Sequence, residues 1–295
     1  ADIPEMVRLV VQAEHYMENH PPGCLLLGTT ELMFTRVLAL AARRRAIPVI
    51  CLQHGVIALE ESYMPVFADV QGVYGPADME WYAERGVERH RLALTGHPRL
   101  DAIFARRPMP ERMAAAKLGV PPDEWRVLVA TQPHLPAERI GRLVSLLVQK
   151  PGLRVLIKPH PLEERTEKMT EYARMADGCR NVTIIPRRIS LYDVLPHAGC
   201  VIAESSTVGL EALLFGCSLL VLRGPHSAIF ERRGLPAGDP EQLAEWAFAL
   251  MERNTRDAAV GEALESLYPL RLSGPVLAGL IRRTSGIDCR PRISW

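Results

Sequence analysis

Residues 201–216 read VIAESSTVGLEALLFG. With Cys200 in front, the apolar run Cys200–Ala203 ends in a polar turn, Glu204-Ser205-Ser206-Thr207. An apolar helix then opens at Val208-Gly209-Leu210-Glu211. A short apolar run bounded by turn residues is the pattern of a buried strand, and the longer periodic run after it that of a helix. A strand that delivers hydroxyls to a helix N-terminus is a place to hold an anion. The first backbone N–H groups there lack intrahelical partners, and the helix dipole adds partial positive charge. Ser205, Ser206 and Thr207 add donors without adding charge, and Glu211, one turn on, is placed to accept from a ribose hydroxyl. The same residues fit a plainer use, with Ser206 or Thr207 simply capping the helix. This stretch alone leaves both readings open.

Working outward, strands and helices alternate along most of the chain. Before the stretch come a helix over Pro4–His20 and strands at Cys24–Leu27, Pro48–Leu52, Val70–Tyr74 and Leu92–Thr95. Helices at Glu31–Arg45, capped by Thr29 or Thr30, and at Asp78–Glu84 lie between them. Residues 105–124 are rich in Arg, Pro and Ala and are the linker candidate, with Met113–Leu118 helical. A second series follows: strands Arg126–Thr131, Arg154–Ile157 and Val182–Ile185, a helix Arg139–Gln149, and a capping box at Ser190–Asp193. After the organising stretch come strand Ser218–Leu222, a helix opening at Asp239-Pro240, and helical pieces at Glu262–Tyr268 and Pro275–Arg283.

Such alternation predicts an α/β protein with parallel sheets covered on both faces. At 295 residues the chain exceeds the usual single-domain size. The expected division is residues 1–110, an acceptor-side Rossmann-like domain with about four strands, and 111–295, a donor-binding Rossmann-like domain carrying the C-terminal helices. The last helix is a candidate to cross back to the first domain. The start at Ala1-Asp2-Ile3-Pro4, without Met, suggests a first domain truncated relative to a longer protein.

Composition narrows the function classes. A formal net charge of +1 gives no electrostatic reason to expect nucleic acid as partner. Only Lys117, Lys150, Lys158 and Lys168 among the basic residues are lysine, which draws attention to Lys158. The cysteines Cys24, Cys51, Cys179, Cys200, Cys217 and Cys289 form no CxxC pair and read as free thiols of a cytosolic protein. No apolar stretch approaches the length of a transmembrane helix. G-x-G-x-x-G, Walker, HExxH and G-x-S-x-G patterns do not occur, nor does a D-x-D pair for a metal-bound diphosphate.

Polar residues cluster just past the predicted strand ends: Gln53, His54, His97, Arg99, Gln132, Lys158, His160, Glu204, Ser205, Ser206 and Thr207. Ligands of open parallel sheets bind beyond those carboxyl ends, here in a cleft expected between two such units. Lys158 and His160 flank Pro159, so a cation and an imidazole stand on a stiffened turn suited to a diphosphate. Any one strand-end His is otherwise a common loop or packing residue.

Four motifs in this order, Leu52-Gln53-His54-Gly55, Gly96-His97-Pro98-Arg99, Ile157-Lys158-Pro159-His160-Pro161 and Ser205–Ala212, resemble bacterial surface-polysaccharide enzymes of the GT-B type. Capsule glycosyltransferases and CDP-glycerol glycerophosphotransferases are the nearest in pattern, and nucleoside-diphosphate-sugar 2-epimerases such as those of UDP-GlcNAc share the architecture. The resemblance spans Leu25 to Leu222. It implies that His160, Ser205, Ser206 and Thr207 contact the donor's phosphates and that His54 is the acceptor base. Two departures stand out. Gln53 replaces the Trp usual before that His in glycerophosphotransferases, which favours the capsule branch. Glu204 and Glu211 are one residue too close for the paired glutamates of retaining enzymes, so that role is not carried over.

The expected activity is metal-independent transfer of a sugar or glycerophosphate from a CMP-, CDP- or UDP-linked donor to a glycan or lipid-linked acceptor. The expected setting is the cytoplasm, at the inner face of the membrane, with no cofactor. The rival expectations are a 2-epimerase and a nucleotide- or glycan-binding module without catalysis.

Overall fold

The computed structural model describes residues 3–253, 260–269 and 272–286; Cys289 lies outside them. In chain order the elements begin with α1 (Ile3–Asn19), β1 (Leu25–Leu27), α2 (Met33–Arg44), β2 (Val49–Leu52), β3 (Val70–Val73), α3 (Pro76–Glu84), β4 (Leu92–Leu94) and α4 (Pro98–Ala105). There follow α5 (Glu111–Leu118), β5 (Trp125–Ala130), α6 (Ala137–Leu147), β6 (Leu153–Lys158), α7 (Lys168–Gly178), β7 (Val182–Ile184), α8 (Leu191–Val194) and β8 (Cys200–Ala203). The chain continues with α9 (Thr207–Leu214), β9 (Ser218–Leu222), α10 (Ala228–Glu231), β10 (Ala237–Gly238), α11 (Pro240–Arg253), α12 (Val260–Leu267) and α13 (Gly274–Ser285).

Two compact units result, Ala1–Phe104 with Ser266–Trp295, and Ala105–Glu265. The sequence reading placed the boundary at 110/111 and grouped the C-terminal helices with the second domain. The division lies earlier, and the chain from Ser266 groups with the first unit, the return for which the last helix was a candidate.

The first unit is built on a four-stranded parallel sheet, ordered β1-β2-β3-β4. Its strand β2 explains why the C-terminal segment is needed there. Val49 and Cys51 join the cluster formed with Ala13, Met17 and Ala39 of α1 and α2. Ile50 and Leu52, on the opposite face, join Leu277 and Leu280 of α13. A parallel sheet must be covered on both faces, and α13 supplies the second cover for this strand.

The second unit holds a six-stranded sheet, ordered β10-β9-β8-β5-β6-β7, with parallel pairing throughout. Strands β5 and β8 are buried along almost their whole lengths, as a central parallel strand requires. Helix α6 covers one face with Ile140, Leu143, Val144 and Leu147 at helical spacing. The chain leaves β5 towards β6 and β7, then returns to β8 on the other side of β5. The direction of winding therefore reverses between β5 and β8.

Several expectations change in detail. Residues 105–124 are not a loose linker: α5 buries Ala114 and Ala115. The buried Arg126 guanidinium donates to Glu111 at 3.0 Å and to the carbonyls of Pro121 and Pro122 at 3.2 and 2.8 Å. Helix α2 starts at Met33 without a side-chain cap, because Thr29 Oγ1 instead accepts the Glu31 N–H at 3.0 Å in the preceding turn. Ser190 makes no side-chain cap, and Asp193 pairs with Arg106 and Lys117. Helices α4 and α10 are absent from the sequence reading, as are helix α7 and strand β10. Helix α7 buries Tyr172 fully and packs Met169, Met175 and Ala176 beside it at helical spacing; strand β10 is two residues long.

Candidate functional site

The winding reversal fixes where to look, since a ligand of such a sheet lies outside the strand ends at that point. Strand β5 delivers Thr131, Gln132 and His134 there, and β8 delivers Glu204, Ser205 and Ser206. Ser206 caps α9, its hydroxyl accepting the Val208 N–H at 3.2 Å. Ser205 and Ser206 are buried, and Thr207 is the first residue of the helix. Glu211 accepts from the Tyr192 hydroxyl at 3.2 Å. The Gln132 carbonyl serves Leu135 N–H at 3.1 Å and so closes the loop after β5.

Lys158 is the last residue of β6, half-buried, and its ammonium is held below the usual range chiefly by burial, with Arg187 adding to the effect. Glu164, which opposes that shift, is itself paired with Arg187 at 3.0 Å. His160 caps the short helical turn Pro161–Glu163: its Nδ1 accepts the Leu162 N–H at 3.2 Å. The neutral ring then carries its proton on Nε2 and can donate there. Burial first, and the nearby His134 and Lys158 charges after it, lower its pKa from the ordinary histidine value.

Glu163 holds this turn in place. Its side chain is fully buried and accepts the His160 N–H at 2.9 Å, the Tyr172 hydroxyl at 3.1 Å and the Thr131 hydroxyl. Lys168 lies 3.6 Å from the same carboxylate and donates to the carbonyls of Pro133 at 2.6 Å and of Leu135. The loops after β5 and β6 are thus tied to each other. His134 Nε2 meets Glu204, whose carboxylate is fully buried and also accepts the His226 N–H at 3.0 Å. The His226 ring stands edge-on to His134, centroids 4.7 Å apart.

The sequence reading missed Glu163, His134, His226 and Lys168. Only Glu163 left a local signal, the capping-box spacing His160-x-x-Glu163 with His in the place of Ser or Thr.

In the first unit, His54 is stacked on Tyr63, ring centroids 4.7 Å apart and 4° from parallel. Glu31 stands 3.5 Å from its Nε2 and accepts the Ser62 hydroxyl at 2.9 Å. Burial lowers the His54 pKa, Arg99 adds to this, and Glu31 opposes it. Gln53 is not open to a ligand, a correction to the sequence reading. Its amide donates to Gly55 O at 2.9 Å and Asp78 at 3.1 Å and accepts the Tyr74 N–H at 3.1 Å. His97 Nδ1 accepts the Arg99 N–H at 3.1 Å, and the His97 backbone N–H donates to the Tyr268 hydroxyl at 2.9 Å. Arg99 is exposed.

Among the described residues no group of three or more His, Cys, Asp or Glu is arranged to hold a metal ion, and no helix is long and apolar enough to cross a membrane.

No curated protein matches the chain in sequence. Solved structures match its fold. The S. aureus MnaA–UDP structure aligns with a TM-score of 0.71 at 17% identity, over 97% of this chain and 81% of that one. The UDP-GlcNAc 2-epimerase of Neisseria meningitidis bound to UDP-GlcNAc gives 0.68 at 15%, over 94% and 81%. That of Methanocaldococcus jannaschii in complex with UDP-GlcNAc and UDP gives 0.69 at 15%, over 94% and 80%. The fold is accordingly two Rossmann-like α/β domains of the GT-B-like kind, and residues 140–266 match the family model described as capsule polysaccharide biosynthesis protein.

Proposed function

We propose that the chain transfers a sugar, or glycerophosphate, from a nucleotide-activated donor to a surface-polysaccharide acceptor, without a metal. What supports this is a pair of groups suited to phosphate on the turns after β6 and β8, the strands on either side of β5 in the second sheet. They are the His160 turn with Nε2–H outward of its cap bond, and the Ser206-capped start of α9. Both lie inside the stretch that matches the capsule family model. On this reading Lys158, His160, Ser205, Ser206 and Thr207 stabilise charge on the leaving phosphate. Glu211 faces the ribose.

His54 is assigned the acceptor hydroxyl's proton. With Glu31 at Nε2, the ring keeps its proton on that nitrogen and offers Nδ1 as the base. A pKa below the ordinary histidine value keeps the ring neutral at pH 7, the form a general base requires.

A second reading, a 2-epimerase, is favoured by the fold neighbours. It needs carboxyl groups that take and return a proton at carbon. Glu163 and Glu204 of the second unit are fully buried and already hold the partners described above, which favours transfer. The test is turnover of a panel of labelled nucleotide sugars with and without glycan acceptor, in buffer containing a chelator. Acceptor-dependent release of the nucleotide supports transfer. Acceptor-independent formation of the epimer contradicts it, and nucleotide binding without any turnover leaves a binding module.

A further inference from the structure

The strand order puts β5 between β6 and β8. Neighbouring strands are about 4.8 Å apart, so the His160 and Ser206 turns are roughly two spacings apart, about 10 Å. The loop after β5 stands in the middle of the crevice. It carries His134, and Lys168 fixes it through the Pro133 and Leu135 carbonyls. His134 and His160 stand on the loops that follow the adjacent parallel strands β5 and β6.

Glu204 decides how that imidazole is used. One carboxylate oxygen takes the His226 N–H and the other meets His134 Nε2. A Cβ added at Gly224 would lie 2.2 Å from Glu204 Oε1, so the loop after β9 closes over the carboxylate. Glu204 is therefore walled off and acts through His134. It keeps a proton on Nε2 and leaves Nδ1 for whatever enters the crevice. A ring set between a carboxylate and a phosphate needs a donor on each nitrogen, which only imidazolium has.

We infer that His134 is the charged contact for the donor's phosphate at the centre of the crevice, with Glu204 as its positioning residue. The inference rests on the second unit being the nucleotide-donor site. Calorimetric titrations of UDP, CDP, uridine and cytidine against wild type, His134→Gln and His134→Arg test it, with melting curves alongside. Losing a hydrogen bond to a charged acceptor weakens binding about ten- to a hundredfold. That loss is expected for UDP or CDP in His134→Gln, with nucleoside affinity unchanged and with His134→Arg close to wild type. His134→Gln leaves Glu204 buried without its partner. If it melts early, the double variant His134→Gln/Glu204→Gln, which buries no unpaired charge, carries the same expectation. Unchanged diphosphate affinity, or equal losses for nucleotide and nucleoside, would overturn the inference while leaving the donor site standing. A wild-type protein that binds neither diphosphate would remove both.

Discussion

His97-Pro98 follows β4 in the first unit, and His160-Pro161 follows β6 in the second. In both turns the imidazole Nδ1 accepts a backbone N–H two residues on, at 3.1 Å from Arg99 and 3.2 Å from Leu162, and proline opens the helical turn. The carboxylate that follows separates them. Glu163 stands three residues after its histidine, the capping-box spacing, and returns to the His160 N–H. Asp101 stands four residues after His97 and reaches the start of α13, accepting Ser273 N–H at 2.7 Å and Gly274 N–H at 2.8 Å. One turn is locked onto itself and the loop after β5. The other fastens the C-terminal helix to its own sheet. One residue of spacing separates a turn locked by its own carboxylate from one whose carboxylate clasps another helix.

Removing Glu163 should break the comparison most severely. Glu163→Ala leaves the Thr131 and Tyr172 hydroxyls and the His160 N–H without their acceptor, in a buried place. The expected cost is about 3–5 kcal/mol, read by denaturant or thermal unfolding. Any folded fraction should lose nucleotide binding as well. A variant that kept both stability and binding would show that the second turn owes nothing to its carboxylate.

Asp101→Ala should cost less, about 1–3 kcal/mol for two charge-assisted bonds at a helix start. Its loss should fall on the first unit alone, with nucleotide titrations unchanged. Binding lost together with stability would contradict the clasp role.

These two carboxylates also show what a single sequence reveals. The α/β series was legible because apolar runs such as 127–130 and 200–203 must be buried on both faces of a parallel sheet. Turn residues at their ends then mark the site. The His160 and Ser206 turns were legible because proline and an N-cap act locally. The His134–Glu204 pair was not, since it joins loops 70 residues apart and depends on β5 and β8 being neighbours. Gln53 misled for the same reason: a strand-end amide looks available until Asp78 and Tyr74 arrive from elsewhere in the chain. The return of the last helix to the first unit was open from the sequence, but not its seat, the face of β2 that carries Ile50 and Leu52.

The smallest expected effect concerns His54. Burial lowers its pKa, Arg99 adds to that and Glu31 opposes it. A base must be unprotonated, so activity should fall on the acid side, with a midpoint below about 6.5, the ordinary histidine value. Glu31→Gln should move that midpoint to lower pH and Arg99→Ala to higher pH, each by a fraction of a unit, in pH–rate profiles of the transfer reaction. Shifts of the same sign in both variants, or none, would contradict the assignment of His54 as the base.

The central claim is that the second unit's His-Pro turn faces phosphate and the first unit's does not. Calorimetric titration of CMP, CDP, UMP and UDP against wild type, His160→Ala, Ser206→Ala and His97→Ala tests it most directly. The account predicts that at least one of these nucleotides binds wild type. His160→Ala and Ser206→Ala should weaken that binding about ten- to a hundredfold, and His97→Ala should leave it within a few-fold. If no nucleotide binds wild type, or if the second-unit variants bind as wild type does and only melt earlier, the turn is a cap and nothing more.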